Sequence, residues 1–236
     1  MTEELFREDA YLQDCEARIL EIGPSGIRLD RTVFYPMGGG QPGDKGVLRT
    51  ADGQEVQIVD TRKDEQGILH IPDSETSALA VGDSVTAAID WPRRYRHMRM
   101  HTALHLLCAV VEGGVTGGQI SETKSRLDFN IPDAKPDKQA LTEKLNALVQ
   151  ANHPVSPRWI SEEELAEKPE LIRTMSVKPP MGKGRVRLLE IPDVDLQPCG
   201  GTHVCMTGEI GQIQVSKIES KGKQNRRINI VLVDQE

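Results

Sequence analysis

Residues 91–112 read WPRRYRHMRMHTALHLLCAVVE. After Pro92 the stretch holds neither proline nor glycine, and Leu104, Leu107 and Val111 recur at the spacing of one helix face. Gly113 and Gly114 supply the stop. This long helix separates two kinds of sequence. Upstream, residues 1 to about 90 form short alternating runs, ARILEI, GIRLDRTVFY, GVLRT, EVQIVDTR and GILHI, divided by turn residues such as Pro24, Ser25 and Gly26 or Asp52 and Gly53. Short strands at near-regular spacing predict a small barrel. Downstream, strand-like VTGGQIS and SRLDFNI precede helical PDKQALTEKLNALVQAN and SEEELAEK. Strand-like GRVRLLEI, GEIGQIQVSKIES and RRINIVLV then close the chain. The expected fold class is α+β: a β-barrel-like domain over residues 1–90, then an α+β domain with an antiparallel sheet over residues 91–236, entered by the long helix.

Composition narrows the function. The chain has 236 residues, enough for one large or two modest domains. Its apolar fraction of 37% supports a core, but at 3% aromatic the strands must rely on Val, Ile and Leu. No run approaches the roughly 20 apolar residues of a spanning helix, and MTEELFREDAYLQDC has no apolar signal core. A cytoplasmic protein is expected. In that reducing setting Cys15, Cys108, Cys199 and Cys205 point to metal or catalysis rather than a disulfide framework. A net charge of −7 argues against indiscriminate coating of nucleic acid but leaves room for a local basic patch.

The helix carries His101 and His105. Residues four apart project from one face, one turn from each other, so both imidazoles reach a single ion. Far downstream, QPCGGTHVC (residues 197–205) places Cys199 and His203 across two glycines, which permit a tight loop. Together the two pairs make a set of three nitrogens and one sulfur suited to tetrahedral zinc, catalytic or structural. Cys108 and Cys205 read as packing residues or as neighbours of the ligands. His97 reads as exposed beside the arginines.

HTALHLL followed by CGGTHV, TGEIG and a late RRI resembles the editing domain of alanyl-tRNA synthetase. DRTVFYPMGGGQPGDKG resembles the glycine-rich segment that precedes that domain. The likeness covers nearly the whole chain, and no segment resembles the synthetase's ATP-binding core. The chain thus resembles the free-standing alanyl-tRNA editing proteins of the AlaX type, in their medium-length form. That resemblance implies a deacylase that hydrolyses the ester of serine, and also of glycine, on the tRNA for alanine. It implies zinc held by His101, His105, Cys199 and His203, a hydroxyl-sensing role for Thr32, and a place for Gln41 near the editing pocket. Four protein ligands leave no vacant tetrahedral corner, so activating a water needs a fifth ligand or the loss of one, which favours zinc as a positioner and electrostatic stabiliser. On composition alone Thr32 is an ordinary strand residue, and MGGGQPGDKG fits a tight turn as well as a pocket wall.

A net acidic protein that binds tRNA must concentrate its positive charge. Arg93, Arg94, Arg96 and Arg99 precede His101, while Lys221, Lys223, Arg226 and Arg227 cluster in KGKQNRR and Lys183, Arg185 and Arg187 in GKGRVR. The expected partner is mischarged tRNA, with the protein acting as a monomer. Two other classes fit the residues: a non-catalytic tRNA-binding module with structural zinc, and a zinc hydrolase of a small ester.

Overall fold

The computed structural model describes residues 2–73, 76, 79–131, 136–174 and 184–233. They belong to two compact units, Met1–Arg96 and His97–Glu236. The division falls within the long helix α1 (Trp91–Val110).

In the first unit, β1 (Glu3–Glu4) lies parallel to β4 (Arg31–Thr32). Strands β2 (Asp14–Gly23), β3 (Gly26–Leu29), β5 (Gly46–Thr50), β6 (Glu55–Asp64), β7 (Gly67–Pro72) and β8 (Ser84–Ile89) close a barrel in the order β2-β3-β7-β6-β5-β8. The interior is filled at every second position. Ala17 and Ile19, Ile27 and Leu29, Val56 and Ile58, and Val85, Ala87 and Ile89 all point inward. The barrel accords with the expected fold class, although SVTAAI of β8 was not among the predicted runs.

The glycine-rich segment forms a tight turn. Gly38 and Gln41 exchange both backbone hydrogen bonds, at 3.1 and 2.9 Å, and Gly39 and Gly40 have φ of 57° and 84°. Positive φ at both central positions is the geometry of a two-residue type I′ hairpin turn. Gly43 is needed for a second reason: a Cβ there would lie 2.0 Å from the Thr61 carbonyl oxygen.

Arg94, in the first turn of α1, departs from the sequence expectation. It is fully buried. Its Nε donates to both Asp44 carboxylate oxygens at 3.1 and 2.9 Å, Nη2 to the Val33 carbonyl at 2.6 Å and Nη1 to the Ala10 carbonyl at 3.0 Å. A side chain so committed is an anchor of the first unit, not a phosphate contact.

In the second unit α1 is buried on every side from Met100 to Cys108, not along one stripe. Strands β9 (Gly114–Gln119) and β10 (Ser125–Asn130) join β14 (Gln212–Ser220) and β15 (Asn225–Val233) in an antiparallel sheet of order β14-β15-β10-β9. Helix α2 (Lys138–Gln150) starts where the Asp137 side chain accepts from the Ala140 N–H. It buries Leu141, Leu145 and Val149, and the Asn146 amide exchanges two hydrogen bonds with the Ile213 backbone in β14. Helix α3 (Glu162–Glu167) opens with a capping box between Ser161 and Glu164.

The second sheet, antiparallel in order β11-β12-β13, comprises β11 (Ser156–Ser161), β12 (Arg185–Ile191) and β13 (Asp195–Pro198). Strands β11 and β13 were not foreseen. Its two faces differ. Ile160, Val186 and Leu188 pack on Leu165 of α3 as an apolar cluster. The pairings Trp159 with Arg187, Leu189 with Gln197 and Ile191 with Asp195 put those residues on the opposite face. That second face carries the polar groups of the site.

Candidate metal centre

His101 and His105 come from the buried middle of α1, and Cys199 and His203 from the loop after β13. Their four ligand atoms lie within 4.8 Å of one another. Cys199 Sγ stands 3.5 Å from His101 Nε2 and 3.2 Å from His203 Nε2. Zinc–nitrogen and zinc–sulfur bonds of 2.0–2.3 Å give a tetrahedron with edges of about 3.3–3.6 Å. The Cys199 distances and the donor set both fit zinc.

The outer atoms of the imidazoles are held in turn. His105 Nδ1 donates to Asp195 Oδ2 at 2.8 Å, and Gln197 Nε2 donates to the same oxygen at 2.7 Å. The Thr102 hydroxyl gives its proton to the Met98 carbonyl, 3.0 Å away, so it can only accept from His203 Nδ1 at 3.2 Å. Both rings therefore carry a proton on Nδ1 and turn Nε2 toward the cluster. Burial opposes charge on His105, but hydrogen bonds with Asp195 and Cys199 prevail and push it up to about 10. Burial also penalises the Cys199 thiolate, yet the adjacent imidazoles, His101 foremost, hold its pKa well below the usual thiol range. Burial and the charge of His101 keep His203 neutral. The group thus pairs a thiolate with a protonated His105, and a metal binding there must displace that proton.

Arg187, expected in a basic track, has a different role. Its Nη1 donates to the carbonyls of Cys199 and Gly201 at 2.9 and 3.1 Å, and Cys199 N–H donates back to the Arg187 carbonyl. The guanidinium holds the Cys-Gly-Gly loop in place. Cys108 is buried outside the cluster, and burial pushes its thiol up to about 12. Cys205 is exposed, so it is not a core residue, and His97 is buried rather than exposed.

Comparison with known proteins adds the lineage. The model for class II (A) tRNA synthetases matches residues 8–93, and that for the threonyl and alanyl tRNA synthetase second additional domain matches residues 186–229. A Methanosarcina mazei protein named alanyl-tRNA editing protein AlaX-M is 42% identical across 100% of this chain and 98% of its own length. Its namesake in Methanosarcina acetivorans is 40% identical over 99% of this chain and 100% of its own. This chain belongs to the alanyl-tRNA editing protein family. An alanine–tRNA ligase of Metallosphaera sedula is 37% identical over 92% of this chain, a match confined to 25% of the ligase. The editing protein family thus shares its sequence with one part of a much larger enzyme.

The remaining residues implied by the family resemblance lie as follows. Thr32 and Gln41 are both fully buried in the first unit. Thr32 Oγ1 accepts from the Phe34 N–H at 3.0 Å and lies 2.8 Å from His70 Nε2. His70 Nδ1 faces the Ile27 carbonyl at 3.1 Å and must donate to it, so Nε2 is the acceptor and the Thr32 hydroxyl the donor. Arg93 Nη1 is bonded to the Gly43 carbonyl and Arg99 Nε to the Ile210 carbonyl, while Arg96 is half-buried. Arg227 forks onto Asp128 at 2.8 and 2.9 Å. Lys221 and Lys223 are exposed in the β14–β15 turn, with Arg226 half-buried beside them. Lys183 lies outside the described residues. Sequence reasoning missed Asp195, Gln197 and Thr102. Asp195 and Gln197 alternate with Cys199, but strand β13 covers only Asp195–Pro198.

Proposed function

We propose that the protein removes wrongly attached amino acids from the tRNA for alanine, in trans and in the cytoplasm, by hydrolysing seryl and also glycyl esters. The observation that carries this reading is the group of buried His101, His105 and His203 with half-buried Cys199, in a chain matching AlaX-M proteins from end to end. Zinc, when bound there, supplies a fixed positive charge that stabilises developing negative charge. The chain's own residues do the rest. Asp195 fixes the direction of His105 and Thr102 that of His203, and Arg187 fixes the loop that carries Cys199 and His203. Thr32 is proposed to sense the serine hydroxyl, its second lone pair accepting that proton, and Gln41 to line the pocket. Arg96, Lys221, Lys223 and Arg226 are proposed to meet tRNA phosphates, and Arg93, Arg99 and Arg227 to help where their protein contacts allow. Arg94 is withdrawn from that set.

The test is hydrolysis of Ser-, Gly- and Ala-charged tRNA for alanine, with and without chelator. Fast, chelator-sensitive loss of serine with Ala-charged tRNA spared is expected. No hydrolysis of any of the three, with tRNA still bound, would make the protein a binding module. Hydrolysis undiminished by excess uncharged tRNA would point to a small ester as the substrate.

A further inference from the structure

The site face of the β11-β12-β13 sheet ends in an exposed aromatic ring. Trp159, on β11, is 43% exposed, and the Arg185 guanidinium lies 4.8 Å from its ring centroid. Most exposed tryptophans cap an apolar patch. Trp159 instead shares its face with Arg187, Gln197 and Asp195 as well as the buried Leu189 and Ile191, while the Leu165-centred apolar cluster lies on the other side. Its cross-strand partner, Arg187, holds the Cys199 carbonyl. Cys199, opposite Arg187 just beyond β13, stands two strands from Trp159, about 10 Å at the usual strand spacing. A flat ring and a cation therefore stand at the rim of the surface that leads to the metal centre.

We propose that Trp159, flanked by Arg185, is a stacking platform for a nucleobase of the single-stranded 3′ end of the tRNA. This rests on the deacylase reading, which brings that end to the cluster. A base offers a π-face to an indole whatever its identity, and a neighbouring guanidinium adds cation–π contact and charge for the adjoining phosphate. Strand addition by a protein partner is disfavoured at this edge, because Pro157 in β11 has no N–H to donate. The charge also selects the partner. Arg185 at this rim is cationic and exposed in a chain of net charge −7, which suits a phosphodiester.

The experiment uses the full chain and a short single-stranded RNA ending in CCA, with binding read by tryptophan fluorescence or anisotropy of labelled RNA. Trp159→Ala should weaken binding roughly 5- to 150-fold, the range for loss of one stacked base. Trp159→Phe should stay within a few-fold of wild type. Metal content and thermal midpoint should not change in either variant. On mischarged tRNA the alanine variant should raise KM more than it lowers kcat. RNA affinity unchanged in Trp159→Ala overturns the platform, as does a loss of bound metal or of folding in both variants. Unchanged RNA affinity with loss of a concentration-dependent dimer would assign the ring to a protein contact, and also overturns it. If the RNA binds through Trp159 but no mischarged tRNA is hydrolysed, the deacylase reading falls and the platform stands.

Discussion

The Nδ1 of His105 and the Oδ2 of Asp195 are 2.8 Å apart, both side chains buried, at a sequence separation of 90 residues. A carboxylate behind a ligating imidazole fixes the tautomer and raises the basicity of the nitrogen that faces the metal. Asp195→Ala should therefore weaken zinc affinity by about 10- to 100-fold. Asp195→Asn, which keeps an acceptor without the charge, should fall between the two. Competition with a chromophoric chelator measures both. An alanine variant that holds zinc as tightly as wild type would reduce Asp195 to a packing residue.

Cys199→Ala removes the one soft donor and leaves three imidazoles. Metal analysis should show depleted zinc, and deacylation should fall with it. Full occupancy with normal activity would exclude Cys199 from the centre. If chelation also unfolds the second unit, the metal contributes to folding free energy as well.

Arg94 and Arg96 stand two apart and are expected to behave oppositely. Arg94 is closed in by Asp44, Val33 and Ala10, so Arg94→Ala leaves a buried carboxylate without its counter-charge. Such a loss costs about 3–5 kcal/mol, read as a lower denaturation midpoint. Arg96→Ala, at a half-buried position, should cost less stability than Arg94→Ala and flatten the slope of log affinity for tRNA against log salt by about 0.7–0.9. A salt slope unmoved by Arg96→Ala, and by Lys221→Ala with Lys223→Ala, would return those residues to an ordinary solvated surface.

That contrast also shows what the sequence made legible. The metal group could be read because its two halves are local: a helix places His101 over His105, and a two-glycine loop brings Cys199 to His203. Arg94 could not be read, because the run RRYRHMR does not mark which arginine turns inward. Its partner Asp44 is 50 residues away. Asp195 was hidden for a similar reason. Strand β13 is only four residues long, too short for alternation to stand out, and Pro157 concealed β11. The barrel was legible as a class from spacing and turns, but its closure depends on β8 pairing with both β2 and β5. No local pattern encodes that pairing.

His70 gives the first unit a pH dependence. Burial holds its folded pKa down to about 4 against 6.5 unperturbed, despite a hydrogen bond to the Ile27 carbonyl. Between those values the unfolded chain binds a proton that the folded chain refuses. Stability is therefore full above about pH 6.5, falls as the pH drops toward 4, and levels off below it, a loss on the order of 3 kcal/mol. Denaturation of wild type and His70→Gln across that range measures the difference. Parallel curves would remove His70 as its source.

In the proposed deacylase, Thr32 joins this stability to specificity. Alanine is smaller than serine, so a pocket that admits serine cannot exclude alanine by size. It must bind the extra hydroxyl, and a site built for that hydroxyl can reject its absence by up to ~10⁴ to 10⁵. The Thr32 hydroxyl already donates to His70 and accepts from the Phe34 N–H, which leaves one lone pair for a substrate proton. Thr32→Val should do two things. It should destabilise the fold by about 1–3 kcal/mol, because the His70 Nε2 and the Phe34 N–H lose their partner. It should also narrow the Ser-to-Ala ratio of kcat/KM, mainly by relieving the penalty against alanine, with zinc content unchanged. Thr32→Ser keeps the hydroxyl and should preserve both properties. The two effects separate below the melting range of the valine variant, with Ser- and Ala-charged tRNA assayed side by side. A valine variant that is less stable yet keeps the wild-type ratio would make Thr32 a strut for His70, and serine sensing would belong to another residue.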